Sequence, residues 1–243
     1  MYRETMSEED GRGPELGFLS RGFSIFHSPG RVFEDIDRGA PWWQPWVWAS
    51  LINIAIGYAL FPIQMHLYRL NPEGLPEDQV ARMIETMQSF PLKPIGIIIG
   101  APVTVLFVAL AFAAISYVAV SVLSERADFK KHLTIYLYAS IVAWVGVLFS
   151  NIVVRWNGIE NIRSARDAIV SFGPAAFVPE GHRIGYAVLS TLDAFSIWFY
   201  VLMGLGVIRV FRLSRWSAVL VVVPVWLLYV LIALIGARFA AVA

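Results

Sequence analysis

The chain contains no cysteine among its 243 residues, and few of its side chains carry a charge. Without cysteine, neither a disulfide framework nor thiolate chemistry is available. Charged residues make up 15% of the chain and hydrophobic residues 58%, against roughly 25% and 45–50% in an average soluble domain. A soluble core does not bury that excess of apolar side chains, so the composition predicts helices that face lipid.

Sequence motifs that carry chemistry are missing as well. No G-x-x-x-x-G-K-[ST], G-x-S-x-G or H-E-x-x-H occurs, so nucleotide hydrolysis, acyl transfer and zinc proteolysis have no recognisable site. The four histidines, His27, His66, His132 and His182, are interpreted as surface or interfacial residues, because a metal site needs three or four converging ligands. No basic stripe is interleaved with aromatics, so no nucleic-acid partner is expected. We predict no catalytic residue, no cofactor and no metal.

Five long apolar segments predict five transmembrane helices. Four stretches without Arg, Lys, Asp or Glu are each at least 22 residues long, and a fifth is interrupted only by Asp193. About 20 residues of helix cross the hydrocarbon core of a bilayer. The predicted spans cover approximately 46–65, 95–123, 133–154, 186–208 and 216–237. We therefore predict an all-α integral membrane protein, with a disordered cytoplasmic tail over 1–24 and one five-span domain over 25–243.

Basic residues predict the orientation of these spans. The connections SERADFKKH and RVFRLSR are short and rich in Arg and Lys, whereas the connections on the opposite side run to about 25–30 residues. Positive charge in short loops stays in the cytoplasm. The N-terminus, Lys130 and Arg212 are therefore expected in the cytoplasm and the C-terminus outside, in the inner (plasma) membrane. The first span is the expected targeting signal, because about 40 mostly polar residues precede it.

Four tryptophans crowd the start of the first span, in the stretch APWWQPWVWASLINIAIG: Trp42, Trp43, Trp46 and Trp48. Tryptophan rings collect at both edges of a bilayer, because the ring body lies against the acyl boundary while the N–H faces headgroup water. The cluster, with Pro45 inside it, is predicted to anchor the first span at the membrane surface.

Three amphipathic helices are predicted outside the spans. The first has Ser28 as its N-cap and Pro29 at the first helical position, with Val32, Phe33 and Ile36 on one face, and is expected to lie along the bilayer surface as a lever or docking element. The other two lie in the outer loops, in PEDQVARMIETMQSF and GIENIRSARDAIVSF. Their flanks are similar, which leaves two alternatives, a duplicated span–helix–span unit or chance.

Asp193, in STLDAFSIWFY, is the one ionisable side chain predicted within a span. Intramembrane acids often mark ion or proton pathways, but no second acid accompanies this one, so a structural role is favoured and a pathway is the alternative. Gly96 and Gly100 fit the small-x-x-x-small rule for close helix approach, with packing inside the protein favoured over a dimer contact. Kinks are predicted at Pro62, Pro102 and Pro224.

Three stretches together resemble bacterial members of the Yip membrane family, the Ypt/Rab-interacting proteins. They are Ser28-Pro29 with Phe33 and Ile36 running into Pro41-Trp42-Trp43 and Pro45, FKKH with Tyr138-Ala139, and LDAFSIW. The resemblance covers about Phe26 to Ala237 and implies a cytoplasmic N-terminal region, five helices and an outward C-terminus. Eukaryotic Yip proteins bind prenylated Rab GTPases. The Asp-Leu-Tyr-Gly-type motif of their cytoplasmic region has no good match here, so the fold is expected to transfer and the activity is not.

The sequence favours a non-catalytic membrane protein that serves as a scaffold or binding partner for a membrane assembly. Its expected contacts are the lipid bilayer, a membrane protein partner of unknown identity and, as a further option, a second copy of itself. The alternative is a transport component, either a small permease or an accessory subunit of an exporter; an intramembrane enzyme is least favoured. The residues singled out as functional or structural candidates are Asp193, Trp42, Trp43, Pro45, Phe33 and Pro29.

Overall fold

The computed structural model describes residues 15–70, 74–89, 92–179 and 181–239 of the chain. Within these ranges the regular structure is helical and contains no strand. The α-helices are α1 (Phe18–His27), α2 (Pro29–Asp37), α3 (Trp43–Arg69), α4 (Glu77–Gln88), α5 (Leu92–Ile98), α6 (Gly100–Leu123), α7 (Phe129–Trp156), α8 (Arg183–Leu189), α9 (Ala194–Phe211) and α10 (Arg215–Phe239). The all-α prediction is confirmed for this part of the chain.

Five helical units are long and apolar enough to cross a membrane: α3, α5 joined to α6, α7, α9 and α10. This confirms the predicted number of spans among the described residues. α7 lies in the centre of the bundle, against α3, α6 and α9. All of its residues from His132 to Val142 are buried. We call the end that carries α1, α2 and the connections 124–128 and 212–214 the hairpin face, and the opposite end, which carries α4, α8 and residues 157–179, the loop face.

The N-terminal helices differ from the prediction. Residues 18–24, which were expected in a disordered tail, belong to α1, while residues 1–14 lie outside the described part of the chain. α1 is ordered because its inner side is buried, with Ile25 fully enclosed. α2 begins at Pro29 as predicted, but its apolar face packs on α9 and α7 instead of lying on the bilayer surface. The two helices form a hairpin on the end of the bundle.

The fourth span also differs from the prediction of 186–208. α8 ends at Leu189, a 3₁₀ turn covers Ser190–Leu192, and the membrane-length helix α9 starts only at Ala194. Asp193 is extended and caps α9, since its Oδ1 accepts hydrogen bonds from the backbone N–H of Phe195 (2.8 Å) and Ser196 (3.1 Å). The acid therefore stands at the start of the span, where it stops one helix and begins the next.

The two long loops, which were predicted to lie outside, are not alike. The first contains α4, over the predicted stretch. The second was predicted to form a similar helix and does not: it holds a 3₁₀ turn at Ile159–Asn161 followed by irregular turns. Gly158 has φ +90°, and the Asp167 carboxylate accepts from the backbone N–H of Arg163 (3.0 Å) and Ser164 (2.9 Å), which competes with helical hydrogen bonding. The duplicated unit has no second helix.

The loop face is tied to the first span at a proline. Pro62 lies inside α3 and has no N–H, so the carbonyl of Tyr58, four residues earlier, lacks its helical donor. Arg155, near the end of α7, donates to this region: Nε to Ala59 O (3.1 Å), and Nη2 to Ala59 O (2.9 Å) and Tyr58 O (3.4 Å). The guanidinium thus supplies a donor to the Tyr58 carbonyl that the proline leaves without one, and it also bonds the neighbouring carbonyl of Ala59.

Close helix approach occurs at glycines other than the predicted pair. A Cβ built on Gly96 or Gly100 would meet no described atom within 4 Å, so the prediction that they pack within the protein is wrong. A Cβ on Gly206 would lie 2.4 Å from Ile135 Cγ2, and one on Gly146 would lie 2.5 Å from Phe195 Cγ. The tight contact therefore runs between α7 and α9, at the centre of the bundle.

Candidate functional site

Five of the six candidate residues come together at the hairpin face. Pro29 and Phe33 lie on α2, and Trp42, Trp43 and Pro45 lie where α3 begins. Asp193 is separate, because it starts the 18-residue helix α9 and stands about 27 Å away from that helix's other end, where α2 packs. The candidate site is therefore the hairpin face, without Asp193.

A buried ion pair holds the hairpin together. Arg21 Nε lies 3.1 Å from Asp35 Oδ2, and both side chains are only 5% exposed. The same guanidinium donates to Gln44 Oε1 (2.5 Å) and to the Leu16 carbonyl (2.6 Å), while the Leu16 N–H donates to Asp35 Oδ2 (2.9 Å). Removing one partner of a buried pair commonly costs about 3–5 kcal/mol, because the other charge is left uncompensated. Arg21 thus links α1 and α2 to the start of α3.

A second group of ion pairs joins α2 to the ends of the spans. Glu34 Oε1 lies 3.3 Å from Arg209 Nη1, and the Asp37 carboxylate lies 3.1 Å from Lys131 Nζ and 3.3 Å from Arg212 Nη2. These pairs are partly or largely exposed, and exposed pairs contribute about 0–1 kcal/mol each. These pairs fix the direction of α2, because Glu34 and Asp37 contact basic residues at the start of α7 and at the end of α9.

Phe33 seats α2 on the bundle. Its side chain is fully buried in the main apolar core. It packs where Gly206 brings α9 close to α7, and a Cβ added at Gly206 would lie 3.1 Å from Phe33 Cε1. The ring therefore fills the space that the glycine leaves open, which is why a large aromatic stands at this position.

The tryptophans connect helices as well as facing outward. Trp46 Nε1 donates to the Pro102 carbonyl (3.1 Å) and Trp48 Nε1 to the Phe18 carbonyl (3.4 Å). The expectation that all four indole N–H groups face headgroup water is therefore wrong for these two. Trp43 is 47% exposed, and Trp42 is partly buried against the core. Half of the cluster joins α3 to α6 and α1.

His132 is not at the surface, contrary to the sequence interpretation. It is fully buried, and its Nε2 lies 2.6 Å from Ser116 Oγ. Nδ1 has no hydrogen-bond partner among the described residues. The Ser116 hydroxyl is also fully buried and directed at the carbonyls of Phe112 (3.0 Å) and Ala113 (3.3 Å). A serine and a histidine enclosed in this way have no open side for a substrate, so the pair joins α6 to α7.

The remaining acidic and histidine side chains are dispersed. Across the described ranges, no group of three or more His, Cys, Asp or Glu side chains comes together in a way that suits a metal ion. His66 Nε2 lies 3.0 Å from the Ile162 carbonyl, which fastens the second loop to α3. The hairpin face is thus an arrangement of paired charges and buried rings, which suits binding and positioning.

Sequence reasoning missed Arg21, Asp35, Arg155 and the Ser116–His132 pair. A signal existed for Arg21, the only charge in the largely apolar stretch FLSRGFSIFH. A lone charge in an apolar helix usually has a partner. Its partner Asp35 is 14 residues away in the chain and belongs to another helix, so the pairing itself depended on the hairpin.

The fold and the hairpin face define an all-α, five-span membrane protein with an N-terminal helical hairpin fixed to one end of the bundle. The Yip1 domain profile matches residues 23–237. The chain belongs to the Yip1 domain family, as the sequence predicted. It is also similar to the membrane protein YknW of Bacillus subtilis (strain 168), with 26% identity over 201 residues and 79% of each chain covered. No solved structure matches it.

Proposed function

We propose that this Yip1-family membrane protein is a non-catalytic binding protein whose hairpin face receives a partner protein of the same membrane. The observation that carries the proposal is the fixed hairpin: a buried Arg21–Asp35 pair and the buried Phe33 ring hold α1 and α2 on the spans. A pre-ordered surface loses little conformational entropy when it binds, which favours association.

The outer side of the hairpin supplies charges for recognition. Arg31 and Glu34 are exposed on α2. Arg126 is exposed in the neighbouring connection 124–128, and Lys130 and Arg215 are exposed at the starts of α7 and α10. We place this face on the cytoplasmic side of the inner membrane, because the short connections at this end are rich in basic residues. Complementary charge steers a partner to such a surface and fixes its register.

The centre of the bundle supports binding over transport. α7 fills it with large side chains, among them Tyr136, whose hydroxyl lies 2.9 Å from that of Tyr229. The Asp193 carboxylate is occupied on both oxygens, since Oδ2 accepts from the Ser196 hydroxyl (2.5 Å) in addition to the two backbone bonds at Oδ1. An acid in use as a helix cap is a poor carrier of protons or cations. The transport component remains the alternative function.

Site-specific photocrosslinking in native membranes tests the proposal. A photoreactive amino acid replaces Arg31 on the hairpin face or, as the matched control, Gln79 on the exposed side of α4 at the loop face. We expect a discrete adduct from position 31, its loss when Phe33→Ala unseats α2, and no such adduct from position 79. No adduct from position 31, together with solute flux through the purified protein in liposomes, would favour the transport component.

A further inference from the structure

α1 presents an uncharged apolar stripe that the described residues leave largely exposed. Leu19, Phe23 and Phe26 are 62%, 61% and 39% exposed, and their spacing of four and three residues places them on one side of the helix. The single charged residue of α1, Arg21, is turned the other way and buried against Asp35. The helix is therefore amphipathic with its apolar side outward, the reverse of a helix that only covers a core.

The position of α1 along the first span gives the depth of this stripe. The Trp48 ring stacks on Phe18 (ring centroids 5.6 Å apart) and meets Phe23 edge-on (5.4 Å). A Cβ added to Gly22 would lie 2.3 Å from Trp48 Nε1, so α1 lies directly against that ring. Trp48 is five residues, or about 7.5 Å, beyond Trp43, where the first membrane-length helix begins. α1 thus lies beside the first turns of the span.

The stripe is continuous with the outer surface of that span. Phe18 also stacks on Trp43 (6.2 Å), which is itself half exposed, and Leu51 lies further along the outside of α3. Tryptophan rings at the end of a span mark the headgroup boundary of the bilayer. The exposed side chains of α1 are therefore at the level where lipid headgroups meet acyl chains.

We propose that α1 is an in-plane membrane anchor, with Leu19, Phe23 and Phe26 inserted into the acyl boundary of the leaflet at the hairpin face. An amphipathic helix lies in this region when its apolar face enters the lipid and its polar groups avoid it. In α1 the charged side chain of Arg21 faces the protein and pairs with Asp35, so it does not enter the lipid. A protein partner fits less well, because three side chains of one helix offer far less than the roughly 1,200 Å² of a stable interface.

The α1 anchor does not require the proposed partner protein, which would bind the charged outer side of α2. The sequence predicted that α2 lies on the bilayer surface. In the structure α2 is held on the bundle by Phe33, and α1 is the helix that would enter the lipid. Together they would set the hairpin at a fixed height relative to the bilayer.

Spin labels on single cysteines test the anchor, since the chain has no cysteine of its own. Phe23→Cys and Leu19→Cys probe the stripe, Leu51→Cys is the lipid-exposed reference, and Arg31→Cys is the water-exposed reference. Each protein is reconstituted in vesicles of three parts phosphatidylcholine to one part phosphatidylglycerol. Collisions with oxygen, which concentrates in lipid, are compared with collisions with a water-soluble nickel chelate.

We expect the labels at 19 and 23 to have oxygen accessibility above nickel accessibility, as position 51 does but with a smaller ratio because they lie nearer the headgroups, and the label at 31 to show the opposite. Nickel accessibility at 19 and 23 equal to that at 31 would place α1 in water and overturn the anchor. Protection from both reagents would show a protein cover and also overturn it; dipolar coupling between labels would then identify a second copy. Circular dichroism checks that each variant keeps its helices.

Discussion

The Arg155–Pro62 contact gives the sharpest test of the fold. Arg155→Met removes the guanidinium that donates to the carbonyls of Tyr58 and Ala59 and keeps much of the apolar stem. Hydrogen bonds from charged groups contribute about 1.5–3 kcal/mol each, and the exposure of Arg155 reduces that value. We expect a total loss of about 1.5–3 kcal/mol in the free energy of unfolding.

If the loss arises from the missing N–H of Pro62, a double-mutant cycle of Arg155 and Pro62 will show it. In Pro62→Ala, residue 62 regains an N–H that bonds the Tyr58 carbonyl, which leaves less for Arg155 to satisfy. The cost of Arg155→Met should then fall by about 1 kcal/mol in the Pro62→Ala background. Arg69→Met, at the exposed end of α3, is the matched control and should change stability by less than about 0.5 kcal/mol.

Reversible unfolding of the purified protein in mixed micelles, with increasing sodium dodecyl sulfate, measures all four members of the cycle. Equal costs of Arg155→Met with and without Pro62 would refute the link to the proline. A cost no larger than that of Arg69→Met would refute the contact itself.

Four further predictions follow from single sites. A membrane-impermeant maleimide should label Gln79→Cys but not Lys130→Cys in intact cells or spheroplasts; the opposite result would invert the proposed orientation. Asp35→Asn should cost about 3–5 kcal/mol in micelle unfolding, and a loss below about 1 kcal/mol would contradict the buried pair. Backbone N–H groups lower the pKa of Asp167 from 3.8, so its contribution to the second loop is present above that pH and lost as pH falls further; protease cleavage of that loop should rise in acid, and a pH-independent rate would contradict this. Asp193→Asn should express normally and Asp193→Leu poorly, whereas a stable Asn variant that has lost solute flux would favour transport.

The spans were predictable because the signal for them is local. A run of about 20 apolar residues has few alternatives to crossing a bilayer, whatever its neighbours are. The exact start of the fourth span was not predictable in this way. Asp193 within an apolar run fits both an intramembrane acid and a helix cap, and only the extended backbone at Asp193 separates them. One sequence feature consistent with an N-cap was missed. Ser196 stands three residues after Asp193, at the position whose backbone N–H donates to a capping side chain.

The failures elsewhere come from contacts between distant residues. Apolar residues in the second loop have helical spacing, but Ile162 packs beside Ile63 of α3, and Asp167 takes the backbone N–H groups that a helix would use. In α1, Arg21 was assigned to a solvated tail because residues 1–17 before it are largely polar and charged, and only the folded hairpin places Asp35 against it. Periodicity describes one helix alone, so it does not show which face another helix will cover.

The basic residues of the hairpin face have two roles at once. Lys131, Arg209 and Arg212 belong to the short connections that predict the orientation, and the same three side chains pair with Glu34 and Asp37 on α2. Pairing does not weaken the orientation argument, because the positive-inside rule counts Lys and Arg, and acidic residues contribute little to it. Glu34 and Asp37 therefore have a separate role. By pairing with basic residues that the predicted orientation already uses, they favour one docked position of the hairpin.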